Sequence, residues 1–151
     1  MNKRIRPVLK DFGEPTEQLV TPEGLIQFWW SEPFTITRTV GYISREMGEA
    51  MDTFFKELFS RVLFVVTIHD WAELSDYDPV CRRIVQQLAH FMRPKQREIY
   101  IHLGPATNIA QLAVRVTAET ISKFKRMPIE IFSRDETFEA AVQDLKNKYR
   151  L

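Results

Sequence analysis

Cysteine is almost absent from this sequence of 151 residues. The single one, Cys81, excludes an intramolecular disulfide and a cysteine-rich metal site. A lone thiol suits a reducing compartment, so the expected location is cytoplasmic. Glycine is scarce as well, at five residues: Gly13, Gly24, Gly41, Gly48 and Gly104. None of them builds a phosphate loop, a dinucleotide fingerprint or a Gly-x-Ser-x-Gly elbow. Long hydrophobic runs are missing, and a spanning helix would need roughly 18 apolar residues in a row. The basic N-terminus has no apolar stretch behind it and does not read as a secretory signal. Charge of one sign is also lacking: 21 basic residues face 20 acidic ones, for a net charge of +1. No bulk pull toward nucleic acid or an anionic membrane follows.

The composition that remains is that of one folded domain, with 44% hydrophobic and 27% charged residues. Residues 1–22 hold Pro7, Pro15 and Pro22 and little periodicity. They read as an N-terminal arm, partly mobile or draped over a domain of residues 23–151. Leu25–Trp30 is a short apolar run, broken by Glu32-Pro33. Phe34–Val40 then alternates, with threonines 35, 37 and 39 on one side, the pattern of a half-buried strand. The two strands form a hairpin. If that hairpin (residues 24–40) is a sheet edge, a second copy can pair with it in a homodimer.

Ser44 is placed to cap a helix carrying Met47, Met51, Phe54, Phe55 and Leu58 at helical spacing. Val62–Ile68 reads as a central strand, and His69 to Tyr77 as the loop that follows. Asp78-Pro79 opens the next helix, with aspartate at the cap and proline at the first helical position. Residues 98–103 alternate again, with Tyr100 and His102 on the polar side. Asn108 with Gln111 opens a third helix, Ile129–Phe132 forms a short strand, and Ser133 with Glu136 opens the last helix.

The order is therefore ββαβαβαβα, an α/β fold. A five-stranded, mixed but mainly parallel sheet is expected. Its polar strand faces argue for four helices mostly on one face, the other being open or covered only by the arm.

Catalytic constellations are missing, and the expected protein is not an enzyme. His69 and His102 sit near the ends of two strands, but two histidines on separate strands are no metal motif, and no metal or cofactor is expected. Cys81 falls in a first helical turn, where the helix dipole can lower a thiol pKa. His90 reads as a surface residue. Lys123, Lys125 and Arg126 close a helix, where cations offset the macrodipole. Gly104–Asn108 precedes a helix start, so Thr107 and Asn108 are candidate ligand-binding residues, although capping alone explains Asn108. The strongest candidate surface runs along Asp70, Trp71, Ser75, Asp76, Tyr77, Asp78, Arg82 and Arg83. It lies between a parallel strand's C-terminal end and the next helix, with Trp71 and Tyr77 as aromatic anchors.

This element order, with a hairpin before the first helix, resembles the STAS or SpoIIAA-like superfamily over roughly Gly24 to Lys148. His69-Asp70-Trp71 followed by Tyr77-Asp78 and Arg82-Arg83 is similar to a small uncharacterised bacterial STAS-like subgroup. The resemblance implies a one-sided β-α superhelix and a regulatory module that binds another protein. In antagonists of that superfamily a serine or threonine at a helix start is phosphorylated, and the added charge breaks the partner contact. Here the corresponding start is Asp78-Pro79-Val80, which has no hydroxyl, and Ser75 lies several residues earlier. The usual phosphoswitch is therefore not expected. Related CRAL-TRIO domains bind lipid, which implies the alternative of an apolar ligand near Met47, Met51 and Phe54 or near Phe28–Trp30.

Overall fold

The structure is a computed structural model that describes residues 4–149, without the side chains of Phe124 and Lys125. Its elements are α1 (Pro7–Lys10), β1 (Glu17–Thr21), β2 (Gly24–Ser31), β3 (Phe34–Ile43), α2 (Arg45–Phe59), β4 (Val65–Tyr77), α3 (Pro79–Met92), β5 (Gln96–His102), α4 (Ile109–Lys125), β6 (Ile129–Phe132) and α5 (Asp135–Tyr149). A short 3-10 turn at Arg93–Lys95 links α3 to β5. Three of the four expected caps form, while α5 begins at Asp135, beyond Ser133. Ser44 accepts from Met47 N–H, Asp78 from Val80 N–H at 2.9 Å, and Asn108 from Gln111 N–H at 2.8 Å.

The sheet has six strands rather than five, in the order β1-β2-β3-β4-β5-β6. The extra strand, β1, comes from the segment read as an arm. It pairs antiparallel with β2 from Glu17↔Phe28 to Thr21↔Gly24. The β2–β3 hairpin is therefore not a sheet edge, and the premise for a homodimer through residues 24–40 is removed. β1 and β6 hold the edges instead.

The second difference is β4, which runs on through the expected loop as far as Tyr77. Its partner β3 continues to Ile43 and pairs with it in parallel, with register shifts between Arg38 and Val40 and between Gly41 and Tyr42. Backbone ladder bonds do not depend on side-chain polarity, so a polar tail extends a strand when its neighbour is long. Gly41 makes one shift possible. Its φ is +72°, and a Cβ there would strike the Glu23 carbonyl.

Strand order explains the layers. Each crossover (β3–α2–β4, β4–α3–β5, β5–α4–β6) moves one strand in the same direction. The right-handed rule then places α2, α3 and α4 on one face. Gly48 of α2 meets Cys81 of α3 so closely that a Cβ would lie 2.7 Å from its sulfur. The buried residues Phe28, Met47, Phe54, Phe55, Leu88 and Ile101 belong to this face. α5 follows the last strand and folds back beneath the opposite face. There Phe138, Val142 and Leu145 join Trp29, Phe34, Ile36, Val66, Ile68 and Leu9 of α1. That face is thus covered by a helix as well as by the arm, neither open nor arm-covered alone.

The facing of β3 is reversed from the simplest amphipathic reading. Phe34 and Ile36 point to α5, whereas Thr37 and Thr39 point to the crossover helices, where Thr37 bonds His69 and Thr39 lines a cavity. Strand alternation was correctly located, but both sides of the strand are buried.

Candidate functional site

β4 is central in the sheet, and its C-terminal half carries most of the residues singled out by sequence. Successive side chains on a strand alternate between faces, so these residues divide into three groups.

Asp70 points to the α5 face. Its carboxylate accepts from Arg6 Nε at 2.7 Å, and the same guanidinium reaches Asp135 at 3.0 Å and Glu139 at 3.6 Å. Asp70 therefore ties the N-terminal segment to the sheet and α5. His102 is buried on this face too, stacked on Phe138, with Nε2 donating to Asp135 Oδ1 at 2.8 Å. That hydrogen bond holds the Asp135 carboxyl below its ordinary range. His69 lies on the opposite face, so the two histidines share no site. Among the described residues no cluster of histidine, cysteine or carboxylate side chains is arranged to hold a metal.

Trp71 and His69 face α2, α3 and α4. Trp71 is 5% exposed, so its indole cannot serve as a surface anchor, and the assignment of Trp71 and Asp70 to a docking surface is corrected on this ground. Trp71 Nε1 donates to Thr37 Oγ1 at 2.9 Å, and that oxygen lies 2.6 Å from His69 Nδ1. An indole N–H can only donate, so Thr37 Oγ1 accepts from Trp71 and shares one further proton with His69 Nδ1. Burial pushes the His69 pKa down to about 3.

These two rings border a cavity of about 130 Å³ beneath the helices; of the residues the sequence suggested for an apolar site, Met51 lines it and Met47 and Phe54 do not. Its floor is Thr39, Thr67, His69, Trp71, Ile99 and Ile101 of the sheet. α2 gives Met51 and Phe55, α3 gives Cys81, Val85 and Ala89, and α4 gives Val114, Thr117 and Ala118. Ala89 of α3 and Ala118 of α4, both small, line this space. Cys81 is buried in the wall. Burial pushes its thiol up to about 11, against the dipole expectation, so it stays protonated and poorly nucleophilic.

Ser75, Asp76, Tyr77, Asp78, Arg82 and Arg83 form the third group, at the rim where β4 ends and α3 begins. Ser75, Asp76, Arg82 and Arg83 are exposed, and Tyr77 and Asp78 are half-buried. Arg82 Nη2 donates to Tyr77 Oη at 2.9 Å, and its guanidinium also stands over the ring. Asp78 spends its carboxylate on the helix cap. The anion site weighed at Thr107 and Asn108 gains no support. Asn108 Oδ1 caps α4 and its Nδ2 donates to Leu74 O at 2.9 Å. Next to it, Gln111 Nε2 donates to Ala72 O at 2.9 Å. These bonds set the rotation of α4, which buries Ala110 and Ala118 and leaves Ile109, Leu112 and Val116 exposed.

No helix among the described residues is long and apolar enough to cross a membrane. No protein-family model and no curated protein matches the chain. Solved structures do. An uncharacterised protein of the DUF3478 family with a SpoIIAA-like fold, from Shewanella loihica PV-4, aligns with a TM-score of 0.57 at 12% identity. The alignment covers 82% of this chain and 98% of that one. The anti-sigma factor antagonist SpoIIAA in its unphosphorylated form aligns at 0.56 and 14% identity, over 80% and 97% of the two chains. An anti-sigma factor antagonist from Mycobacterium paratuberculosis aligns at 0.51 and 14% identity, over 83% and 100%. A six-stranded sheet in chain order, with three crossover helices on one face, is thus a SpoIIAA-like fold.

Proposed function

We infer that this chain is a non-catalytic regulatory module that binds another protein through the rim at the end of β4 and the start of α3. The observation that carries the reading is the exposed set Ser75, Asp76, Arg82 and Arg83 around Tyr77. It projects from the C-terminal end of a central parallel strand, where open α/β sheets place their binding sites. The Arg82–Tyr77 contact holds an aromatic ring and a cation in one fixed arrangement, the residue types that dominate interface energetics. Two of the similar structures are anti-sigma factor antagonists, which lends the reading support. α3 begins at Asp78-Pro79-Val80, so the module works without a phosphorylated hydroxyl at that helix start.

Pockets for drug-sized ligands run to roughly 300–1,000 Å³. The cavity under the helices is about 130 Å³ and the pocket beside it about 250 Å³, so each alone falls below the range expected for the lipid-binding alternative. The rim is tested by placing a photo-crosslinking residue at Asp76 in the native host. A discrete adduct of one size is expected, lost in Arg82→Glu/Arg83→Glu and kept when the same charge reversals are made at Lys123 and Arg126. An adduct indifferent to the rim charges would remove this surface from the function.

A further inference from the structure

The cavity between the sheet and helices α2, α3 and α4 touches the rim at Tyr77 and Arg82, but its floor lies deeper, on the sheet around Thr39. Its size is the first clue. An empty apolar cavity of about 150 Å³ takes up a single benzene ring, and this one is about 130 Å³. Its wall is the second clue. Most of it is aliphatic, aromatic or sulfur-bearing, and the polar groups on the floor have partners with one exception. Thr67 bonds Thr35 and Gln96, and Thr37 is shared by Trp71 and His69. Thr39 lines the cavity, and its hydroxyl, buried without a hydrogen-bond partner and closed off from the space as it stands, would reach it by a turn about χ1. A buried hydroxyl left unpaired is costly, and valine would fit the same space on the same strand.

The charge balance narrows the ligand further. The floor offers neutral donors, and the cation in the wall, Arg82, lies at the rim end in contact with Tyr77. An ionised carboxylate or phosphate would lose its hydration against an apolar wall without an opposing charge at the floor. A neighbouring pocket of about 250 Å³, lined by Gln86, His90, Arg93 and Met127, shares Ala89 and Ile121 with the cavity.

We propose that this cavity binds an uncharged molecule of about one ring, whose single oxygen accepts a hydrogen bond from Thr39 on the sheet floor. The chemical class is that of a phenol, a benzyl alcohol or a cyclic ketone, as distinct from an acyl chain or an anion.

The test titrates the full chain with phenol, toluene, benzoate and decanoate, following the Trp71 indole N–H resonance by nuclear magnetic resonance. Saturable shifts are expected with phenol and, more weakly, toluene. Benzoate and decanoate leave the resonance unmoved. Thr39→Val weakens phenol roughly three- to ten-fold, the worth of one neutral hydrogen bond, and leaves toluene unchanged. Ala118→Leu fills the space and removes both responses. Should Ala118→Leu fail to fold, Thr39→Val still decides the matter, because valine keeps the threonine shape. The proposal is overturned if phenol gives no saturable shift, if Thr39→Val affects phenol and toluene alike, or if decanoate binds more tightly than phenol. None of these readouts involves a partner protein. They separate failure of this site from failure of the docking rim, which the crosslinking yield of the Arg82 and Arg83 variants reports.

Discussion

The two faces of the sheet are built on opposite plans. The α5 face is packed solid. Phe138 and Val142 are fully buried against Trp29, Ile36, Val66 and Ile68, and the margin is closed by ion pairs from Arg6 to Asp70 and from Lys146 to Asp11 at 2.7 Å each. The crossover face contains threonines, a neutral histidine, two small alanines and an unfilled space. Both faces belong to the same strands, so the contrast comes from side chains alone. A sheet held rigid from below by α5 can tolerate imperfect packing above. That is the arrangement expected of a scaffold with one face for stability and the other for binding.

The largest effect should come from opening the solid face. Phe138→Ala is expected to destabilise the fold by about 3–5 kcal/mol, read from urea unfolding. A loss below about 1 kcal/mol would show that this face is not the stable half. Next is Arg6→Ala, which leaves the buried Asp70 carboxylate without its cation. A loss of about 2–3 kcal/mol is expected, somewhat below that of a fully buried pair because Arg6 keeps some exposure. The double variant Arg6→Ala/Asp70→Asn should recover part of it.

A third effect is pH dependence from the other face. His69 has a folded pKa of about 3 against about 6.5 when unfolded, so the unfolded chain binds the extra proton between these values. Stability should fall as pH drops below about 6.5, with a slope up to ~1.4 kcal/mol per pH unit. His69→Gln should flatten the slope between pH 6.5 and 4.5. Asp135 has a lowered pKa and adds its own loss only below the ordinary carboxylate range. An unchanged slope in the variant would place the titrating group elsewhere. The smallest effect is Thr39→Val. Removing an unpartnered buried hydroxyl should leave stability unchanged or raise it by up to about 1 kcal/mol, and a clear loss would mean that the hydroxyl has a structural partner.

Much of this architecture was legible in the sequence because it follows from local rules. The alternation of Phe34–Val40, the Asp78-Pro79 start and the Asn108 cap each depend on a few neighbouring residues, and each appears in the structure. The resemblance to the SpoIIAA-like fold rested on that order. What escaped depends on distant partners. β1 has no alternation because four of its five residues are exposed at an edge. The tail of β4 looks like a loop because its polar side chains conceal a backbone paired with β3. The separation of Asp70 from Trp71 was available from period two once the strand was known to continue. No local pattern marks the cavity. Ala89 and Ala118 are 29 positions apart in the sequence, and neither is unusual in a helix.

The pairing of strands in chain order also sets a timetable. Each of β2 to β6 finds its partner in the strand just made, so the crossover face can assemble progressively as synthesis proceeds. The α5 half needs both ends of the chain together, since Asp11 must meet Lys146. Until α5 emerges, Trp29, Phe34, Ile36, Val66 and Ile68 lack the cover of Phe138, Val142 and Leu145. A nascent chain halted before Asp135 should therefore engage chaperones and bind a hydrophobic dye, and both signals should vanish once Tyr149 has cleared the ribosome.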